Sequence, residues 1–116
     1  MRKAVISFLV WLCIAIVPNN SLATPVIEVE LRIKNHKFIP DVLELPAGTK
    51  IILNIYNDDS TIEEFESIDL KREKIILANS KARIVLAPLK EGEYKFFGDF
   101  NEETAQGKII IKTKES

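Results

Sequence analysis

The stretch GEYKFFGDFNEETAQGKIIIK, residues 92–112, contains two apolar segments joined by a short polar loop. Tyr94 and Phe96 alternate with charged residues in its first part, and a run of three isoleucines lies near its end. Alternation with a period of two predicts β-strands. Asn101, followed by acidic residues and then by Gly107, predicts one short helical turn over 102–106. The stretch therefore predicts a strand–loop–strand unit within a β domain.

The rest of the chain shows the same strand periodicity. Ile27, Val29, Leu31 and Ile33 alternate with charged residues, which predicts one strand over 27–34. Turn-separated apolar runs predict the other strands at 42–45, 51–55, 65–70, 75–77, 82–86, 94–97 and 108–112. About eight short strands without a long helical stripe predict an all-β protein, folded as an antiparallel β-sandwich.

The N-terminal segment has the layout of a secretory signal peptide. Arg2 and Lys3 precede an apolar run over 4–17, and small residues at Ser21 and Ala23 suit a cleavage site. The apolar centre is short for a membrane span. We therefore expect a signal peptide over 1–23, export to the periplasm and one mature domain over 24–116. An uncleaved N-terminal anchor is the alternative.

Removal of residues 1–23 limits the chemistry that the domain can perform. Cys13 is the chain's single cysteine, so the mature domain would have no thiol for a disulfide, a zinc–thiolate cluster, an iron–sulfur centre or a nucleophile. It would keep 14 Lys and Arg against 17 Asp and Glu, a formal net charge of −3. This balance gives no indication of nucleic-acid binding.

Several segments together resemble the cupredoxin family. They are FIPDVLELPAGTKIILNIYNDD (38–59), EEFES (63–67), DLKREK (69–74) and GEYKFFGDF (92–100). The resemblance covers about residues 26–112 and is strongest to small periplasmic cupredoxin-like domains that carry the EEFES and DLKREK segments. It implies a Greek-key β-sandwich, with a possible metal site at one end.

The family's copper-ligand pattern, laid over this sequence, implies that every ligand has been replaced. Glu63 stands at the place of the first His, Gly98 at that of the Cys and Asn101 at that of the second His, while the axial Met falls near residues 105–106. A type 1 copper site needs a Cys thiolate as its soft ligand. The mature chain contains none, so we expect no type 1 copper.

Carboxylates remain at the same end and are candidate ligands for a harder cation. Glu63, Glu64, Glu66 and Asp99, together with His36, form the predicted metal site; oxygen ligands suit iron, manganese or calcium. Strand alternation places Glu63 on the inner face, with Phe65, and places Glu64 and Glu66 on the outer face. We expect Glu63 to be a ligand that the fold does not need. The alternative for the acids is a solvated surface, and for His36 an exposed side chain.

Two classes of function follow. The resemblance associates such domains with iron-permease systems, which implies a periplasmic accessory that binds iron or another divalent metal and hands it to an inner-membrane permease. Without a Cys and a second His, binding is favoured over ferroxidase catalysis. The alternative is a metal-free interaction domain that docks on a membrane or periplasmic partner. A Cu(II) carrier using His36 and carboxylates is a third hypothesis.

Overall fold

The computed structural model describes residues 23–113, which form nine strands in two packed sheets. The strands are β1 (Val26–Lys34), β2 (Lys37–Ile39), β3 (Val42–Pro46), β4 (Lys50–Asn57), β5 (Glu63–Ser67), β6 (Arg72–Ile76), β7 (Ser80–Leu86), β8 (Gly92–Gly98) and β9 (Gln106–Lys112). This confirms the predicted all-β sandwich. Nearly all of the predicted signal peptide, residues 1–22, lies outside the described residues and stays a prediction. Within 23–113 we find no helix that could cross a membrane.

One sheet has the strand order β2-β1-β4-β7 and the other has the order β3-β9-β8-β5-β6. The pairing is mixed: β1 runs parallel to β4 and β3 runs parallel to β9, while the other neighbours are antiparallel. The predicted sandwich is therefore confirmed with one refinement: two of its strand pairs are parallel and not antiparallel. Parallel neighbours arise because the chain crosses between sheets and returns beside a strand that runs the same way.

Three phenylalanines join the two sheets at the centre of the core. Phe96 stacks on Phe65 with 5.2 Å between ring centroids, and Phe38 meets Phe96 edge-on at 4.9 Å. Phe38 belongs to the first sheet and the other two to the second, so the rings fill the space between the layers. Aromatic pairs in these geometries add to the stabilisation from burial.

Three local predictions differ from the structure. Residues 102–104 form a turn that does not continue as a helix: the Ala105 N–H makes one helix-type bond to the Asn101 carbonyl oxygen, and Gln106 already begins β9. A single helical turn is costly to nucleate, and pairing with β8 ends it here. The strand predicted over 65–70 ends at Ser67, where a turn with Lys71 at φ 60° begins. The three-residue strand β2 was missed because it is too short for periodicity to detect.

Asn57 and Asp59 hold together the loops at one end of the sandwich. The Asn57 side-chain amide donates to the carbonyl oxygens of Thr61 at 2.8 Å, Ile76 at 3.1 Å and Leu77 at 3.3 Å. The Asp59 carboxylate accepts hydrogen bonds from the backbone N–H groups of Asn35 and His36, at 2.7 and 2.9 Å. These contacts fix the β1–β2 turn and the start of β5 at the end where the candidate site lies.

Replacing Asn57 should destabilise the domain strongly. The side chain is 1% exposed, so Asn57→Ala leaves buried carbonyl groups without a donor. We expect the free energy of unfolding, measured by urea denaturation, to fall by about 2–4 kcal/mol. Asn54→Ala, on the same strand but bonded only to the exposed Glu28, is the control and should cost less than about 1 kcal/mol. Equal losses in the two variants would contradict this role for Asn57.

Candidate metal centre

The four positions at which the copper-ligand pattern is replaced come together in space. Glu63 begins β5, Gly98 ends β8, and Asn101 and Ala105 lie in the loop that leads to β9. A Cβ atom built on Gly98 would lie 2.7 Å from Cδ of Glu63 and 2.8 Å from Cβ of Ala105. Asn101 Nδ2 lies 2.8 Å from Glu63 Oε2. The residues at these four positions therefore surround one small volume at the end of the sandwich.

The Glu63 carboxylate fills that volume and is fully hydrogen-bonded there. Its Oε1 accepts from the backbone N–H groups of Glu64 at 3.0 Å and Phe100 at 2.9 Å, and its Oε2 accepts from the Asn101 side chain. The residue is 2% exposed. Hydrogen bonds to a charged acceptor are among the stronger ones in proteins. The expectation that the fold does not need Glu63 is inconsistent with this geometry; its role as a ligand stays untested.

Gly98 leaves the room that the Glu63 carboxylate occupies. Any side chain at position 98 would begin with a Cβ 2.7 Å from both Cδ and Oε2 of Glu63, far inside normal contact distance. The copper thiolate of the family pattern would thus compete for space with the carboxylate. These residues do not fit a type 1 copper ion, because none of residues 23–113 supplies a thiolate and the hydrogen-bonded Glu63 carboxylate occupies its place.

Three of the predicted ligands meet on the outer face of the second sheet. Glu64, Glu66 and Asp99 each offer a carboxylate oxygen, and these oxygens all lie within 4.8 Å of one another. The Asp99 backbone N–H donates to the Glu64 carbonyl oxygen at 2.8 Å, which fixes the loop against β5. We call these three residues the carboxylate trio. Alternation along β5 points Glu63 inward and its neighbours outward, as predicted.

His36 lies apart from the carboxylate trio. It occupies the β1–β2 turn with φ 59°, and its Nε2 is 3.3 Å from Thr61 Oγ1. His36 lines an open groove together with residues 99–104, so it shares that groove with Asp99. The structure thus brings three of the five predicted ligands together, with Glu63 behind them and His36 at the groove.

The carboxylate trio is surrounded by other negatively charged side chains. Partial burial is the largest cause that raises the pKa of Glu66, followed by the nearby charges of Asp99, Glu73 and Glu102. The pKa of Glu64 is raised for the same leading reason, with Glu73 as the largest charge contribution. Among residues 23–113, no ion pair involves a trio carboxylate. The arrangement therefore favours binding of positive charge.

Other polar residues of the EEFES and DLKREK segments have structural roles that sequence reasoning missed. Ser67 Oγ donates to the Lys95 carbonyl oxygen at 2.6 Å and accepts from the Leu70 N–H at 3.0 Å. The Asp69 carboxylate accepts from the Lys95 N–H at 2.8 Å. These contacts fasten the β5–β6 hairpin to β8. The sequence did contain a sign of these roles: Glu63 and Ser67 fall on the inward face of β5, where a polar side chain needs a hydrogen-bond partner.

The chain belongs to the cupredoxin-like domain family, whose family model matches residues 4–111. A protein of Rickettsia prowazekii (strain Madrid E), itself described as uncharacterized, is 56% identical over 86 residues, which are 74% of this chain and 69% of that protein. The resemblance seen in the sequence is thereby confirmed at the level of the family.

Solved structures with the same fold include copper proteins of low sequence identity. The copper-loaded metal-binding domain of the Cu(I)-exporting ATPase CopA of Streptococcus pneumoniae matches with a TM-score of 0.68 at 13% identity, over 79% of this chain and 91% of that one. Auracyanin A, a blue copper protein of Chloroflexus aurantiacus, matches with a TM-score of 0.65 at 10% identity, over 76% and 100%. At these identities the comparison establishes the fold.

A double-mutant cycle tests whether Glu63 and Gly98 share one space. Glu63→Ala should lower the free energy of unfolding by about 2–4 kcal/mol, because it leaves the Phe100 N–H and the Asn101 amide without their acceptor. Gly98→Ala should cost about 1–3 kcal/mol by overpacking. In the Glu63→Ala background the cost of Gly98→Ala should fall by at least about 1 kcal/mol.

The control for that cycle is Glu44→Ala, an exposed carboxylate on the opposite edge of the same sheet. It should cost less than about 0.5 kcal/mol and should be additive with Gly98→Ala. Strict additivity between Glu63→Ala and Gly98→Ala would contradict the shared space.

Neutralising Glu66 should stabilise the protein at neutral pH. A carboxyl whose pKa is raised by folding binds protons more tightly in the native state, so stability is lost as pH rises through the folded pKa. Glu66→Gln should therefore melt at a higher temperature than wild type at pH 7. The difference should disappear below about pH 3, where the wild-type carboxyl is protonated in both states. A melting difference that does not change with pH would contradict this electrostatic origin.

Proposed function

We propose that this protein is an exported accessory domain that binds a hard divalent metal ion, with Fe(II) as the first candidate, and hands it to a partner. The observation that carries the proposal is the carboxylate trio, whose ligand oxygens lie within 4.8 Å of one another. Carboxylate oxygens favour harder cations over Cu(I). Burial is the largest cause of the raised pKa of Glu64 and Glu66, and a bound cation would also offset the charge repulsion that raises it further.

Binding and release suit this arrangement better than redox catalysis. The trio lies on the outer face of a sheet, where Glu64 and Glu66 are half-buried, so an ion could reach it without opening the core. The inner volume is closed by Glu63 and its hydrogen bonds. We place the role in the periplasm, and the recipient is an inner-membrane iron permease; the resemblance to permease-associated domains supports both assignments.

His36 is the candidate that extends this site. It lines the same groove as Asp99, and movement of the loop over 99–104 would change the distance between the two residues. An imidazole nitrogen added to the carboxylates would broaden the choice of metal toward Cu(II). Fe(II) and Mn(II) need no such movement, which is why we place them first.

A metal-free interaction domain is the second candidate. It is favoured by one specific observation: the volume that corresponds to the family's metal position is filled by a buried carboxylate with hydrogen bonds to both of its oxygens. In that case the sandwich would serve as a rigid scaffold and the carboxylate trio would be part of a docking surface.

Titration calorimetry of residues 24–116 separates the two candidates. Fe(II), kept under anaerobic conditions, and Mn(II) should bind with one ion per chain, and the double variant Glu66→Gln with Asp99→Asn should lose at least about tenfold in affinity, about 1.4 kcal/mol. Glu44→Gln, which removes one carboxylate charge on a distant strand, is the control and should bind as wild type does. Metal should also raise the melting temperature, since a ligand of the native state stabilises it.

Absence of binding to wild type, or equal affinity in the double variant and wild type, would contradict the metal proposal. The metal-free candidate would then take its place. Glu63→Gln gives a further check, because this variant keeps the size of the side chain. If the metal binds at the outer trio, Glu63→Gln should change the affinity less than twofold.

A further inference from the structure

Three exposed apolar side chains lie beside the carboxylate trio. Ile62 is 42% exposed just before β5, Ile75 is 43% exposed on β6, and Leu77 is 60% exposed just after β6. Ile75 stands directly opposite Glu64 in the pairing of β5 with β6, on the outer face of the sheet. Exposed apolar residues grouped in this way indicate a contact surface more strongly than scattered ones.

The backbone holds this group of side chains in a fixed arrangement. The buried Asn57 amide donates to the carbonyl oxygens of Thr61, Ile76 and Leu77, which ties the segment before β5 to the segment after β6. A surface that is already ordered loses little conformational entropy when a partner binds. Ile62 and Leu77 are thus presented by a rigid part of the fold.

The other half of the surface is acidic, and its carboxylates form no ion pair among residues 23–113. Glu73 is paired across the hairpin with Glu66, which extends the charge of the carboxylate trio onto the edge strand β6. Burial of this surface against another protein therefore requires positive groups on that protein.

We propose that the outer surface of the β5–β6 hairpin, formed by Ile62, Ile75 and Leu77 together with the trio and Glu73, docks a protein segment that carries Lys or Arg beside apolar side chains. Apolar contacts flanked by complementary charge are the usual composition of a specific interface. A bare metal ion would use only the carboxylates. An anionic lipid surface would be repelled by them. The inference goes beyond the metal role and does not depend on it.

The bound segment contacts side chains and does not extend the sheet. Although β6 is an edge strand, its Arg72 guanidinium donates to the Val85 carbonyl oxygen on β7, so the edges of the two sheets are linked there. Lys74 stands opposite the buried Phe65, and a charged side chain at such a position is a common protection against added strands.

The test is an NMR titration of isotope-labelled residues 24–116 with synthetic peptides. The probe is a peptide of alternating Lys and Leu; the comparison peptides replace Leu by Ser or Lys by Glu. Of the three peptides, we expect only the Lys–Leu peptide to shift the amide signals of residues 62–66, 73–77 and 99. Leu77→Ser and Ile75→Ser should each weaken its binding by at least about fivefold, and added salt should weaken it further.

Ile68→Ser is the matched control, because Ile68 is 72% exposed at the opposite end of the same hairpin. It should bind the peptide as wild type does. Leu77→Ser should leave Mn(II) affinity unchanged, so loss of docking and loss of metal binding are distinguishable. The proposal is overturned if the Lys–Ser peptide binds equally well, if the shifts map elsewhere, or if Leu77→Ser binds normally. It is also overturned if sedimentation shows that this surface pairs two copies of the chain.

Discussion

The hydrogen bonds of one buried carboxylate organise the end of this sandwich. Glu63 accepts from the Phe100 backbone and the Asn101 side chain, and so ties the start of β5 to the loop between β8 and β9. Gly98 has to lack a side chain because the carboxylate occupies that space. The loop takes its shape from these contacts. Asp99, which lies between Gly98 and Phe100, is thereby placed beside Glu64, whose carbonyl oxygen accepts from the Asp99 N–H.

Because Glu63 fills the inner volume, the side chains that can still bind a ligand lie on the outer face of the sheet. Where the family pattern has a metal ion bound by four side chains, this chain has a charged side chain bound by protein donors. The charge that remains accessible belongs to Glu64, Glu66 and Asp99. The first two point outward because β5 alternates, and the third is held beside them by its backbone N–H, which donates to the Glu64 carbonyl oxygen. A metal ion and a cationic protein segment would both be attracted by that charge. Only the protein segment would also contact the apolar residues beside it. A metal delivered to a partner that docks at the same surface would join the two roles.

The sequence was sufficient for the class of fold and for part of the site. Alternation in β1 reported burial directly, and the inward position of Glu63 followed from Phe65 two residues later. Periodicity could not predict the parallel pairs, because it shows which face of a strand is buried and does not show which strands are adjacent. It also could not show that Asn101 would use its side chain on Glu63 and not as a helix cap. That choice depends on residues 38 positions apart, which only the folded chain brings together. Periodicity likewise could not predict that His36 lies apart from the trio, because their relative positions depend on how the whole chain folds.

The most direct test of this account is the hydrogen exchange of the Phe100 backbone amide, measured by NMR on the metal-free domain. Phe100 lies in a loop and its side chain is exposed, so without a partner its amide would exchange about as fast as that of Glu103 in the same loop. If its N–H donates to a buried Glu63 carboxylate, it should exchange as slowly as the amides of β8, and Glu63→Ala should abolish that protection. Fast exchange of Phe100 in the wild-type protein would contradict the central claim that Glu63 closes this end of the fold.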